Sequence, residues 1–275
     1  MTTREIVVAA PSVTTVDRRT ARSASPRQLA GIAGALYLVN VIAGAFAIGY
    51  VQSQLLTADP VLTAANIQAH ELLYRSGLAA HVVVTVTNIP LALIFYELFK
   101  TVNRRLALLD AFFILVATAI EAAGILHQFA PLVLLGSGGE TSGPGSAQLQ
   151  ALVTLTGPLA QADYLLYTVF FGLDILLMSY LLLRSRLVPR VIAVLLAVDG
   201  FAYLVYSFTA ILAPAQATQL APWIQLPAPL AEGALSLWLL AFGVTVGWWS
   251  QTADRRATAQ ENHLEGRTRR PRQRR

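Results

Sequence analysis

Apolar residues along this 275-residue chain gather in long unbroken runs, and charged residues collect between the runs and at the two ends. The runs do not alternate as half-buried strands do, and they exceed the roughly four to eight residues of a buried strand. A hydrocarbon core about 30 Å thick takes about 20 helical residues to cross. Six segments reach that length: residues 29–52, 76–99, 106–126, 161–183, 188–213 and 229–249. The first is free of charge, the third can extend to Leu135, and the third to sixth each hold at least one acid. The pattern predicts an all-α membrane protein, a six-transmembrane-helix bundle.

The connections carry their own signals. Between the first two runs, the stretch from Thr63 to Tyr74 predicts a short amphipathic helix at the outer interface, with Asp59-Pro60 as the turn before it. Residues 136–147, rich in Gly and Ser, read as a flexible loop. Residues 214–229 hold four prolines and Trp223 and read as an irregular segment resting on the outer surface.

Charge then sets orientation. Nineteen of the twenty basic residues fall in the N-terminal arm, in the loop with Lys100, Arg104 and Arg105, in the loop with Arg184, Arg186 and Arg190, and in the C-terminal tail. The opposite loops hold only Arg75. The positive-inside rule places both termini in the cytoplasm, and Trp248 and Trp249 close the sixth segment where an aromatic belt belongs. The organisation read from this is a disordered basic arm (1–28), a transmembrane domain (29–250) and a disordered basic tail (251–275). Arm and tail have too few apolar residues to bury a core, and their expected partners are anionic lipid headgroups. The arm lacks the short apolar run and cleavage site of a secretory signal.

Composition narrows the classes. The chain is 55% hydrophobic and 13% charged, with mean hydropathy +0.57, against about 25% charged in soluble domains. A water-soluble enzyme is excluded, and the lipid bilayer is the first partner. With no cysteine, disulfides, thiolate metal sites and cysteine nucleophiles are excluded too. The sequence pI near 9.8 is accounted for by topology, not by nucleic acid. Lys100 is the one lysine among the basic residues, and such Arg- and Ala-rich usage suggests a bacterial inner-membrane protein.

Candidate chemistry lies in polar residues within the apolar runs, where an ionisable group costs about 2.5–3.5 kcal/mol on insertion scales. Glu97 and Asp110 fall near the basic loops and are expected to form a salt-bridged rim with Lys100, Arg104 and Arg105. Asp163 and Glu232 start their segments, where acids complement the helix dipole. Glu121 has no such role. His81 and Asn88, seven residues apart, share a helix face. Together His81, Asn88, Glu121, His127, Asp163 and Glu232 are expected to converge on one outward-facing polar cavity. Asp163 and Asp174 share a stripe with Tyr167, and Asp199 is followed by Tyr203 and Tyr206 at helical spacing. The expected neighbours of Asp174 are Asp199 and those tyrosines. Tyr37, Asn40 and Gly44 form a stripe on the first segment that reads as helix packing. No metal site is implied, since the intramembrane His spacing is not i, i+4 and no H-E-x-x-H occurs. No cofactor motif, nucleophile elbow or phosphate loop is present.

Several stretches carry a resemblance: Gly31-Ile-Ala-Gly-Ala-Leu-Tyr-Leu38, Phe95-Tyr-Glu-Leu-Phe-Lys100, and Val169-Phe-Phe-Gly-Leu-Asp174 with its following loop. The chain resembles the bacterial membrane family called domain of unknown function 4386 over roughly residues 25–250. In that family Phe-Phe-Gly-Leu is often followed by His. Here Asp174 follows, so a role tied to that imidazole does not carry over. The resemblance implies the fold class and supplies no catalytic residues. Three function classes stay open: a small proton-linked transporter or permease, a membrane enzyme acting on a lipid or envelope substrate from the outer face, and a non-catalytic scaffold or sensor.

Overall fold

In a computed structural model of the chain, residues 25–57, 59–136, 146–224 and 226–244 are described, and their regular elements are all helices. Helix α1 (Pro26–Gly44) begins where Ser25 and Gln28 cap one another, the Gln28 amide donating to Ser25 Oγ and the Ser25 amide to Gln28 Oε1. It starts three residues ahead of the apolar run, because a capping box with Pro at the first position fixes the end. The helix passes through a π-helical segment (Ala45–Val51) into α2 (Gln52–Leu55). These three form one continuous rod, Pro26–Leu55.

Asp59 caps α3 (Pro60–Ala69) by accepting from the Val61 amide at 2.8 Å. This helix is shorter than the stretch to Tyr74, because His70 leaves helical geometry and residues 71–74 open the next helix. Helix α4 (Glu71–Gly136) is two arms: Asn103, at φ −151° and ψ 106°, breaks it into 71–102 and 104–136. The Asn103 side chain accepts from the Arg105 and Leu106 amides at 3.0 and 3.2 Å, capping the second arm. Contacts between Tyr74 and Gln128 and between His81 and Glu121 show that the arms run antiparallel.

Helix α5 (Ser146–Ser185) starts well before the apolar run at 161 and ends in a tight turn with Arg186 at φ 54°. Helix α6 (Arg190–Leu212) follows. Its exposed residues Val191, Val194, Val198, Phe201, Val205, Phe208 and Leu212 repeat every three or four positions. The stripe is about 32 Å long at about 1.5 Å per residue, close to the roughly 30 Å of a bilayer core.

Two expectations are corrected downstream. Residues 214–224 are not irregular: α7 (Pro214–Ile224) is helical. Pro214 stands in the first turn, where its missing N–H is harmless, and Ala, Gln and Leu then favour a helix. The last helix, α8 (Pro227–Ala241), has 15 residues, about 22 Å at about 1.5 Å per residue. It stops because Gly243, at φ +67°, turns the backbone left-handed and donates to Leu239 O at 3.0 Å. Trp248, Trp249, most of the 136–147 loop, the tail and nearly all of the arm lie outside the described residues.

Among the described residues, four helices are long and apolar enough to cross a membrane, Pro26–Leu55, Glu71–Val133, Gly157–Ser185 and Arg190–Leu212. The architecture is that of a helical membrane protein. Helix α4 packs on α5, α5 on α6, α1 on α4 and α8, and α6 on α8. A Cβ at Gly34 would lie 2.8 Å from Ser236 O, so α1 and α8 meet backbone to backbone. A Cβ at Gly200 would lie 2.9 Å from Gly172 O, the same kind of approach between α6 and α5. The main apolar core, with Leu98, Phe99, Leu181 and Leu196, fills the end nearest the arginine-rich loops. A smaller one, with Val51, Leu55, Ile67 and Leu132, sits under α3.

Candidate functional site

A cavity of about 280 Å³ opens at the α3 end, between the α1–α2 rod, both arms of α4, and α5 and α6. His81, Glu121, Gln128, Asp163 and Tyr167 are among its walls. His81 and Asn88 occupy one face of the first α4 arm, and both reach Glu121 on the second. His81 Nε2 is 3.1 Å from Glu121 Oε1, and Asn88 Nδ2 donates to Glu121 Oε2 at 3.2 Å. The other ring nitrogen of His81 is 3.4 Å from Gln128 Oε1. Both imidazole nitrogens thus face side-chain oxygens. Tyr74 fixes this corner by donating to Gln128 O at 2.6 Å.

Asp163 does not cap a helix. It lies well inside α5, because that helix begins at Ser146. Its carboxylate pairs with His127 Nδ1, at a point where Gly124 lets α4 approach: a Cβ there would come within 3.0 Å of Asp163 Cβ. Two His–carboxylate pairs, His81–Glu121 and His127–Asp163, therefore stand at one end of the bundle.

Asn88 also faces away from the cavity. Its Oδ1 accepts from Asn40 Nδ2 at 2.8 Å, and the Asn40 amide is held in that orientation by Val84 O at 3.2 Å. The packing role read for Asn40 holds, since it ties α1 to α4. Beyond it lies a small space of about 20 Å³ bordered by Tyr37, Asn40, Asn88, Asp110, Asp174 and apolar neighbours. Asp110 and Asp174 are in hydrogen-bond reach of each other. Asp110 is therefore not a rim acid: it is 2% exposed and turned into the bundle. The reason is helical phase, since Glu121 lies eleven residues on and eleven steps return to nearly the same face. Glu97 does sit at the rim, paired with Lys100.

Glu232 does not join the cavity and is no N-terminal cap. It is the sixth residue of α8, buried, and accepts from the Tyr203 hydroxyl at 3.3 Å. Asp199 is its electrostatic neighbour. The Tyr37 hydroxyl has no direct hydrogen-bond partner. The expected neighbour of Asp174, Asp199, is replaced by Asp110, and Asp199 lies near Glu232 instead. Unpartnered polar atoms remain at Tyr37 OH, Asp110 Oδ1, Asp174 Oδ1 and Asp199 Oδ2.

Gln128 and Tyr37 were not singled out as site residues by sequence reasoning. A stripe count from Glu121 would have found Gln128, two turns on and on the same face as the outer acid. Among the described residues no group of three His, Cys, Asp or Glu could hold a metal ion.

A sequence model of the family described as Domain of unknown function (DUF4386) matches residues 32–243. The chain belongs to that family. Every residue of the two His–carboxylate pairs and of the deeper carboxyl pairs falls inside the DUF4386 match. No curated protein and no solved structure matches the chain.

Proposed function

We propose that this protein is a six-span, proton-linked permease of the bacterial inner membrane, with both termini cytoplasmic and its ligand cavity open to the opposite face. The observation that carries the reading is the bridge made by Asn88. Its two hydrogen bonds join the His81–Glu121 pair of the larger cavity to Asn40 and the small space at Asp110 and Asp174. Glu121 and Asp110 are about 16 Å apart along one helix arm, at about 1.5 Å per residue. The polar line therefore covers about half of a bilayer core of about 30 Å. Below it Leu98, Phe99, Ala107, Leu181 and Leu182 are buried and apolar, a seal that a permease open to one side needs. Around the line, carboxyls outnumber basic side chains, so charge balance calls for protons or a cationic ligand. The basic arm (1–28) and tail (251–275) flank the domain at 29–250 and rest on anionic headgroups.

The test is proton flux into liposomes holding the full-length protein and a trapped pH-sensitive dye, driven by a valinomycin potential. The expected result is acidification faster than in empty liposomes, reduced at least about fivefold in Glu121→Gln and Asp174→Asn. Wild-type flux equal to that of empty liposomes would sink the reading. Reporter fusions at Ser142 and after Gln251 test the topology: Ser142 should report outside and the C-terminus inside.

A second reading, a membrane enzyme acting on a lipid or envelope substrate, is favoured by one observation. His81, Glu121 and Asp163 line the cavity, and His127, outside its lining, pairs with Asp163, acid–base pairs of the kind that general acid–base chemistry requires. It predicts turnover of added lipid without proton flux.

A further inference from the structure

At the opposite end of the bundle, a cavity of about 380 Å³ lies between the Asn103 break in α4, the end of α5 and the start of α6. That volume is within the roughly 300–1,000 Å³ typical of small-molecule sites. Arg184, Arg186 and Arg190 line it with Asn103 and Tyr180, and among the described residues no acid does. Among the described residues none of these three arginines takes part in an ion pair. A charge run on a surface is ordinarily a solvated face, but the local backbone brings these together. Ser185 Oγ donates to Leu182 O and accepts from the Leu187 amide. That turn holds Arg186 in the left-handed region, at φ 54°. Helix α6 then begins at Arg190 with no side-chain cap, so its first backbone N–H groups add to the positive end. Asn103 spends its Oδ1 on the Arg105 and Leu106 amides, which leaves its Nδ2 as a donor.

A second space, of about 520 Å³, shares Arg186 and Arg190 and is walled by Val188, Pro189 and Trp238. Arg190 is also the residue before Val191, which starts the exposed apolar stripe of α6. Exposed guanidinium groups thus stand next to an apolar wall that continues along a lipid-facing helix.

We propose that Arg184, Arg186 and Arg190 form a phosphate-binding site for the headgroup of an anionic phospholipid, with the acyl chains along the Val191–Val194–Val198 stripe of α6. Guanidinium groups suit a phosphate oxyanion because they donate paired hydrogen bonds in a fixed plane. The inference does not depend on the permease reading or on the orientation of the chain.

The experiment is native mass spectrometry of the full-length protein in detergent, titrated with phosphatidylglycerol, with phosphatidylcholine, and with inorganic phosphate as competitor. The expected result is retention of phosphatidylglycerol over phosphatidylcholine. Each arginine contributes roughly fivefold in affinity at a membrane surface, so replacing all three with Gln should weaken phosphatidylglycerol binding on the order of a hundredfold. Arg104→Gln with Arg105→Gln, close by but outside the cavity, should change it little. Because loss of three positive charges can disturb insertion, Arg184→Lys, Arg186→Lys and Arg190→Lys are tested together as well. They keep the charge, and binding should fall between wild type and the Gln variant. Displacement by millimolar inorganic phosphate would keep the oxyanion chemistry and assign the source to free phosphate. Equal retention of both lipids, or unchanged binding in the Gln variant, would overturn the site.

Discussion

Asn88 Nδ2 donates to Glu121 Oε2 at 3.2 Å across the α4 hairpin. The two residues lie 15 and 18 positions from the break at Asn103, so the register of the arms sets them nearly level. The carbonyl oxygen of the same Asn88 amide takes a hydrogen bond from Asn40 on α1. One buried side chain therefore ties both α4 arms and α1 together, and it is the point where the open cavity meets the deeper carboxyls.

Replacing Asn88 with Ala should destabilise the protein through the partners it abandons. Glu121 Oε2 and one Asn40 N–H would be left unpaired in a buried setting, at a cost of about 1–3 kcal/mol. The unfolding midpoint in detergent should fall by several degrees. Asn40→Ala should cost less, and the double variant should cost less than the sum, since both single changes break the same bond. Strict additivity would show that the network does not act as a unit.

Much of this was legible in the pattern of residues, and the misses share a cause. The long helices follow from apolar length, and the reach of His81 and Asn88 to one partner follows from their seven-residue spacing. What periodicity could not supply was which helices meet. Asp110 sits beside Lys100, Arg104 and Arg105 in the sequence, so proximity along the chain suggested a salt-bridged rim. Its helical phase instead aims it inward at Asp174 on α5. Apolar runs used as helix bounds make caps of Glu232 and Asp163. Helix α5 begins at Ser146 and α8 at Pro227, ahead of those runs, so both acids become interior residues. The end of α8 differs for the converse reason: hydropathy continues past Ala241, but Gly243 stops the helix regardless.

The α1–α8 contact gives a paired test of packing. Gly34→Ala would place a methyl group 2.8 Å from Ser236 O, against backbone that cannot rotate away. Overpacking of this kind costs about 1–3 kcal/mol. Gly31→Ala, three residues earlier on the same helix, meets nothing within 4 Å and should be neutral or slightly stabilising, because Ala favours a helix over Gly by about 1 kcal/mol. Thermal unfolding of the two variants should move in opposite directions. Equal midpoints would mean that α1 and α8 are not in backbone contact.

Tyr37 and Tyr203 offer the sharpest comparison in the deep cluster. Tyr203 donates directly to Glu232 Oε1 at 3.3 Å. Tyr37 OH has no direct partner, but it borders the space of about 20 Å³ shared with Asp110 and Asp174, whose Oδ1 atoms are also unpartnered. A polar-lined space needs about 10–15 Å³ to hold a water, and that water needs two to four polar partners. The three orphan atoms supply them. On this argument Tyr37→Phe removes a water-mediated bond, worth nearly as much as a direct one. It should lower the unfolding midpoint by an amount similar to Tyr203→Phe, each corresponding to about 1 kcal/mol. The edge-on contact of the Tyr37 ring with Phe95, at 6.2 Å between centroids, survives in the Phe variant, so the hydroxyl alone is tested. If the space is dry, deleting an unpartnered buried hydroxyl should instead leave Tyr37→Phe neutral or more stable while Tyr203→Phe still weakens the protein. A gap of several degrees between the two variants would establish that the carboxyl pair is cut off from Tyr37.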